Sequence, residues 1–428
     1  MLERRADIRS GELAMTLWSF AYFFCLLCGY YVLRPVRDEM GIQAGVRNLP
    51  WLFSATFFAM LVAVPIFGWV SSRLPRRRFV PYTYWFFVGN LLLFFVLFKN
   101  GVALAATTKA FFVWVSVFNL FVVSVFWSFM ADIYRTEQAR RLYGLIAAGG
   151  SAGAIAGPAL TTVLAAPLGP INLLLVSTAF LLGAIACIQR LAQSSTAATS
   201  SDVGTDRKLG GGVFDGMRIV IRSPYLLAIC GYVMLYSVLS TFLYFQQQTI
   251  VQESIATSEQ RTALFAGIDL VVNVLTLCLQ LFAFTRFLRW FGIAGGLALL
   301  PLFSVAGFIA LGLLPTLIVL VAFGVLRRAG EFAISKPARE TLFNALSPEE
   351  KYKAKNFMDT AVYRGGDVAS GWLFQGLHQA LGLGLSGISF VAAPLALSWA
   401  AIGLWLSRRH RVATAAALAH PTLTSEEK

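Results

Sequence analysis

Residues 14–33 read AMTLWSFAYFFCLLCGYYVL, an unbroken run without one charged side chain. About 20 apolar residues of helix cover the roughly 30 Å of hydrocarbon in a bilayer, so this run predicts a membrane-crossing helix. Similar runs follow at 49–70, 79–98, 110–131, 143–164, 171–189, 225–250, 263–284, 292–312, 315–335, 357–379 and 386–406. None alternates apolar and polar residues with a period of two, as a barrel strand would. In lipid each run must close its own backbone hydrogen bonds, which only a helix does. The expected fold is all-α integral membrane, with about 12 transmembrane helices. Composition agrees, because 57% of the 428 residues are apolar and only 13% are charged. A soluble domain carries about 25% charged residues.

The chain has 35 Lys and Arg against 21 Asp and Glu, a formal charge of +14. No basic stripe with interleaved aromatic residues lies outside the loops, which argues against a nucleic-acid partner and leaves the lipid bilayer as the expected surrounding. With the N-terminus in the cytoplasm, Arg4, Arg5, Arg9, Arg73, Arg76 to Arg78, Arg135, Arg140, Arg141, Arg207, Lys208 and most later basic residues fall on the inside. Only Arg34, Arg37, Arg47, Lys99, Lys109 and Arg261 fall outside. Under the positive-inside rule this predicts a multi-pass protein of the cell inner membrane with both termini cytoplasmic. The first run lacks a small-residue cleavage site, so it reads as a retained span rather than a signal.

The longest polar stretch, rich in Ser, Thr and Gly, divides the chain. We expect an N-terminal six-helix bundle at 1–190, a cytoplasmic linker at 191–222, a C-terminal six-helix bundle at 223–406 and a cytoplasmic tail at 407–428, disordered after Arg411. Two such halves suit a transporter built from parallel repeats. Catalysis has no visible apparatus. The only histidines are His378, His410 and His420, the cysteines at 25, 28, 187, 230 and 278 all sit in apolar runs, and there is no Walker loop, nucleophile elbow or His-Glu zinc motif. No enzyme, no cofactor and no metal are expected.

Two local patterns resemble the major facilitator superfamily. Gly68-Trp-Val-Ser-Ser-Arg73-Leu-Pro-Arg76-Arg77-Arg78 resembles its loop motif, with Ser72 and Pro75 replacing the usual Asp and Gly. Gly144, Gly153, Gly157 and Pro158 have the spacing of its antiporter motif, with Thr161 and Thr162 where that motif ends in glycines. The same residues also suit plain Gly-rich helix packing. A more specific resemblance is to the ATP:ADP antiporter (nucleotide translocase) family. Leu33-Arg34-Pro-Val-Arg37-Asp38 is similar to that family's Leu-Arg-x-x-Lys-Asp. Pro337-Ala-Arg339-Glu340 followed by Lys351-Tyr-Lys353-Ala-Lys355 and Asp359 is similar to its Pro-x-Lys-Glu and Lys-x-Lys-x-Lys-x3-Asp segments. The resemblance implies the major facilitator fold, nucleotide antiport and arginines that attract an anionic solute. Lys336 and Asp367 depart from the family, the latter standing where it has a lysine. A carboxylate in place of a phosphate-attracting cation implies a changed substrate.

Ionisable groups inside spans cost a few kcal/mol each on insertion scales, so they usually line a cavity and mark a solute or proton path. The first cluster is Arg34, Arg37, Asp38 and Glu39. It reads as an anion-attracting site or as an outer salt-bridge gate. Asp269, Asn273, Thr276 and Gln280 form a polar stripe on span eight, and Tyr232, Tyr236, Ser240 and Tyr244 recur by fours on span seven. These are cavity walls or an interhelical seam, and Asp269 is the best single candidate for a proton- or cation-sensing carboxylate. Span ten carries Arg327, Arg328 and Glu331 at spacings that permit helical ion pairs. In span eleven Asp359, Tyr363 and Asp367 share a face, with Arg364 beside it. These read as a cytoplasmic gate or as a static network. Lys351, Lys353 and Lys355 read as a loop facing solvent and headgroups.

The function expected is secondary active transport of a polar, anionic small-molecule solute, by nucleotide exchange of the ATP/ADP type, in a carrier that works as a monomer. Two alternatives stand beside it. One is a proton-coupled carrier of a non-nucleotide solute such as a siderophore, peptide or drug. The other is a membrane receptor or scaffold that no longer transports.

Overall fold

A computed structural model describes residues 12–73, 76–195 and 213–419. Among these the chain is helical almost throughout: α1 (Glu12–Gln43), α2 (Leu49–Arg73), α3 (Arg76–Lys99), α4 (Leu104–Ile133), α5 (Thr136–Leu168), α6 (Leu173–Ser195), α7 (Val213–Arg222), α8 (Pro224–Ser254), α9 (Ser258–Cys278), α10 (Phe284–Leu313), α11 (Leu317–Gly330), α12 (Lys336–Leu342), α13 (Pro348–Phe357), α14 (Tyr363–Gln375) and α15 (Leu385–Ala419). Nine helical stretches among the described residues are long and apolar enough to cross a bilayer. One of them, Ser258–Leu313, spans two of the expected crossings and is broken at Gly292, whose φ of 60° is left-handed and suits a residue without a Cβ. The crossings expected at 315–335 and 357–379 are each interrupted by a π-turn, Glu331–Ser335 and Met358–Val362, and they carry most of the intramembrane charge.

Several elements are longer than the apolar runs suggested. α1 continues ten residues beyond residue 33 through Pro35 to Gln43, because Asp38 and Glu39 are buried and paired rather than left at a water-facing end. α15 runs past residue 406 and past Arg411 to Ala419, so the expected disordered tail is helical over that stretch. The expected linker at 191–222 holds the end of α6 and all of α7, with residues 196–212 outside the described set. Residues 348–357, read as a loop, form α13. Ser347 caps it, its hydroxyl accepting from the Glu350 N–H at 3.3 Å while the Glu350 carboxylate accepts from the Ser347 N–H at 3.2 Å.

The chain divides into two compact units, Met1–Gly204 with Val251–Asn273, and Thr205–Ile250 with Val274–Lys428. In the first unit α1 is the central element, packed along α5, α6 and α4. Small residues let α5 approach it closely. A methyl group at Gly153 would stand 2.4 Å from the Phe24 carbonyl oxygen, and one at Gly157 would stand 2.6 Å from that of Cys28. Gly144, the first glycine of the same spacing, has open space instead. The remaining core is aromatic, with Phe23 stacked on Phe126 at 4.0 Å and Tyr22 bonded to Tyr84 at 2.6 Å. Trp51, Phe58 and Val62 on α2 stay exposed, as lipid-facing side chains do. In the second unit α10 packs along α15, and α13 packs against α7.

Of the loop motif, Arg76 to Arg78 have side chains outside the described set, as do all atoms of residues 74–75. Arg73 lies 4.3 Å from the centroid of the Trp69 ring.

Candidate functional site

The first unit gathers charge where α1 meets the start of α9. Pro35 and a helix that does not stop carry Arg34, Arg37, Asp38 and Glu39 onto successive faces of one cylinder. The expected cluster resolves into three ion pairs, one of which reaches Asp269 and another Arg261 on α9. Arg34 Nε lies 3.5 Å from Asp269 Oδ2, with Asp269 only 3% exposed. Arg37 donates to Asp38 Oδ1 from Nη2 at 2.7 Å and from Nε at 3.2 Å, and its guanidinium rests 4.9 Å from the Phe112 ring. Glu39 has no exposed surface and takes a two-pronged pair from Arg261, 2.8 Å on each prong. Gln43 adds a bond to Glu39 at 3.0 Å and one to Ser258 at 3.1 Å. Such planar fork-to-carboxylate geometry is the strong form of the ion pair.

The polar stripe of span eight does not form one wall. Asp269 pairs with Arg34, whereas Asn273 donates to the Ala154 carbonyl of α5 at 2.6 Å. Gln280 sits on the π-turn Leu279–Ala283 and donates to the Phe332 carbonyl at 3.2 Å. The π-turn takes Gln280 out of the four-residue register, whereas Asp269 and Asn273 lie before it on regular α9 and differ only in the helix each reaches.

The second unit builds a different constellation around Tyr236. Arg327, 3% exposed, donates from Nη2 to Ser240 and lies 5.3 Å from the Tyr236 ring centroid. Arg339 lies 5.9 Å from the same ring. Tyr363 and Trp399 approach it at 6.2 and 5.9 Å. Glu331, also 3% exposed, accepts from Arg339 Nη1 at 3.4 Å through Oε1. This corrects the expected helical pairing of Glu331 with Arg327 and Arg328. The π-turn starting at Glu331 shifts the following turn, so the residue eight positions on becomes the partner. Arg328 is half-buried on the adjoining face. Arg327 Nε and Glu331 Oε2 are buried without a hydrogen-bond partner.

Beside this group Asp367 accepts from the Ser237 hydroxyl at 2.6 Å, with Arg364 Nη1 at 4.0 Å and Arg364 itself 5.9 Å from the Tyr363 ring. Asp359 is carried on the π-turn Met358–Val362, and its side chain lies outside the described residues. Lys351 bonds Asn344 at 3.1 Å and Lys355 pairs with Glu340 at 2.7 Å, both on the surface of α13. Tyr232 turns to structure, donating to the Leu297 carbonyl at 2.9 Å.

Arg339, Trp399 and the Glu39–Arg261 pair were not singled out by the sequence. Arg339 was visible only as part of a motif. Its partners are Glu331, eight residues upstream across a π-turn, and Tyr236 on the distant α8, and regular helical spacing carries no signal for contacts of that kind.

No protein-family model matches the chain. Solved structures match nearly all of it: the nucleoside transporter NupG (TM-score 0.62, 12% identity, 95% of this chain and 99% of that one), a bacterial homologue of the iron transporter ferroportin (0.67, 15%, 93% and 100%) and the POT family transporter PepTSo (0.64, 11%, 93% and 98%). The chain has the major facilitator fold of these multi-pass membrane proteins. In sequence it is similar to ADP,ATP carrier protein 1 of Chlamydia muridarum and of Chlamydia trachomatis serovar D. Each is 21% identical over 471 aligned positions, covering 94% of this chain and 88% of the relative. The chain is a distant homologue of these chlamydial ADP,ATP carriers.

Proposed function

We propose that this protein is a secondary active transporter that moves a polar, anionic solute across the inner membrane by alternating access, as a monomer with both termini in the cytoplasm. The observation that carries the reading is the buried Arg327–Arg339–Glu331 group around Tyr236. Two guanidiniums and one carboxylate leave one positive charge uncompensated within the group. Insertion scales put each such side chain at about 2.5–3.5 kcal/mol in mid-bilayer. An arginine fork is suited to planar anionic groups such as carboxylate and phosphate. In its finer form the reading is exchange of nucleotides of the ATP/ADP type. The chlamydial relatives are named as ADP,ATP carriers, and the Arg34–Asp38 and Pro337–Asp359 segments resemble that family. If exchange is obligatory, one solute's gradient drives the other and no ATPase is needed.

The test is reconstitution in liposomes preloaded with ADP or ATP, measuring entry of labelled nucleotides and then of other anions. Nucleotide entry no faster than into empty liposomes would remove exchange while leaving an anion carrier standing. A second reading is a proton-coupled carrier of a non-nucleotide solute. It is favoured by Asp367, a carboxylate inside an expected span that is held by Ser237 and only loosely by Arg364. Uptake driven by acid outside, with no counter-substrate inside, would support it over exchange.

A further inference from the structure

We infer that the transported anion carries an N–H donor of its own, an amine, amide or ring N–H, and that Glu331 selects for it. The inference rests on the anion-carrier reading of the Tyr236 group and deepens it. Three buried polar atoms there lack partners: the Trp399 Nε1–H donor and, one helical turn apart on a single stretch of helix, one donor on Arg327 and one acceptor on Glu331. Arg327 spends Nη2 on Ser240 and its face on the Tyr236 ring, which leaves the Nε–H donor unused. Glu331 spends Oε1 on Arg339, which leaves the Oε2 acceptor unused. Both side chains are 3% exposed, so bulk water does not satisfy either atom.

The two residues stand one helical turn apart and would satisfy each other in an ordinary ion pair between positions four apart. Glu331 bonds Arg339 instead, and the donor and the acceptor are both left over on one side of the same helix. A buried charged group without its hydrogen bond is costly. A plain anion would meet the Arg327 donor and leave the Glu331 oxygen bare, next to a like charge. A cation would do the reverse. A molecule that is anionic at one end and offers N–H at the other meets both atoms, and its anionic end balances the one surplus positive charge. The Tyr236 and Tyr363 rings supply apolar faces for the part between. A site built to bond an N–H rejects the analogue lacking it far more strongly than an apolar pocket distinguishes a methylene.

The experiment uses the full chain in proteoliposomes and three matched pairs of probes: 4-aminobenzoate with benzoate, N-acetylglycine with 4-oxopentanoate, and adenosine 5′-monophosphate with purine riboside 5′-monophosphate. Each pair shares its anionic group and differs in the N–H donor. Entry is measured, together with the rise in melting temperature that each probe gives the purified protein. The donor-bearing member should be favoured by about ten- to a hundredfold in any pair that enters. In Glu331→Met, which keeps the side-chain volume and removes the acceptor, the preference should fall to within about twofold, read as the ratio within each pair. Glu331→Gln, which keeps an acceptor oxygen, should retain part of it. Equal entry of both members in the wild type, or a preference that survives Glu331→Met, overturns the inference and leaves the anion carrier intact. If Glu331→Met does not fold, the wild-type pairs and Glu331→Gln decide alone. If no probe enters or stabilises the protein, the anion-site reading falls and this inference falls with it.

Discussion

The α1–α5 seam makes one substitution act in opposite directions at two places on one helix. Gly153→Ala puts a methyl 2.4 Å from the Phe24 carbonyl oxygen and 2.9 Å from the Cys28 nitrogen. Both are backbone atoms, so no side chain can swing aside. An ordinary non-bonded contact is about 3.5 Å, so α5 must retreat by about 1 Å. A gap of 0.5–1 Å forfeits a quarter to a half of each contact's attraction along the seam. Overpacking of this kind costs about 1–3 kcal/mol. Gly144→Ala, on the same helix, meets nothing within 4 Å. There the substitution should stabilise by about 0.5–1 kcal/mol, because glycine is the poorer helix former. The assay is thermal unfolding of the detergent-purified protein, followed by intrinsic Trp fluorescence. Gly153→Ala should melt below the wild type and Gly144→Ala at or above it. Equal shifts, or a Gly153→Ala protein as stable as the wild type, would refute the close approach of α5 to α1.

Further outcomes follow from the ion pairs and the ring cluster. Arg261→Gln leaves the fully buried Glu39 carboxylate unpaired and should cost about 3–5 kcal/mol, seen as a lower melting point; the double change with Glu39→Gln should recover much of it. Tyr236→Leu removes the ring that two guanidiniums face, each contact worth about 0.5–2 kcal/mol, and should raise the KM for anion entry while Tyr236→Phe changes it little. Arg34→Gln should lower transport more than Lys353→Gln, because it removes the guanidinium 3.5 Å from the buried Asp269; equal losses would speak against a role for the α1–α9 charges. Asp367→Asn should abolish any dependence of uptake on an inward proton gradient and leave exchange untouched, a split that separates the two readings of transport.

Most of the helices were legible because lipid imposes a single rule, that each span close its own hydrogen bonds, and that rule writes itself as long apolar runs. The runs were less informative where charge entered them. α1 extends through Asp38 and Glu39 since their charges are answered by Arg37 and by Arg261, and the latter lies more than two hundred residues away in sequence. The loop at 348–357 was a helix because Ser347 and Glu350 form a capping box inside a polar segment, a local signal that the hydropathy reading passed over. At the site, residue type was a good guide and spacing a poor one. Arg34, Asp269, Arg327, Glu331 and Asp367 were picked out as charges inside spans, and all are buried or bonded. Their partners were misjudged where an i to i+4 register was assumed across Leu279–Ala283 and Glu331–Ser335.

Those wide turns have a genetic consequence. Among the described residues Leu279–Ala283, Glu331–Ser335, Met358–Val362 and Gly376–Ala380 all lie in the second unit. A π-turn holds one residue more than the α-turn it replaces, so deleting a single codon within it leaves a continuous helix rather than a broken one. The widened turn already absorbs its extra residue, so everything downstream on that helix then keeps nearly its original face. A one-codon loss within 332–335 would thus leave Arg339 seven α-helical positions after Glu331, within about 20° of the same face and still able to meet it. Length polymorphism inside a span is thus tolerated at these four turns more readily than elsewhere on the same helices.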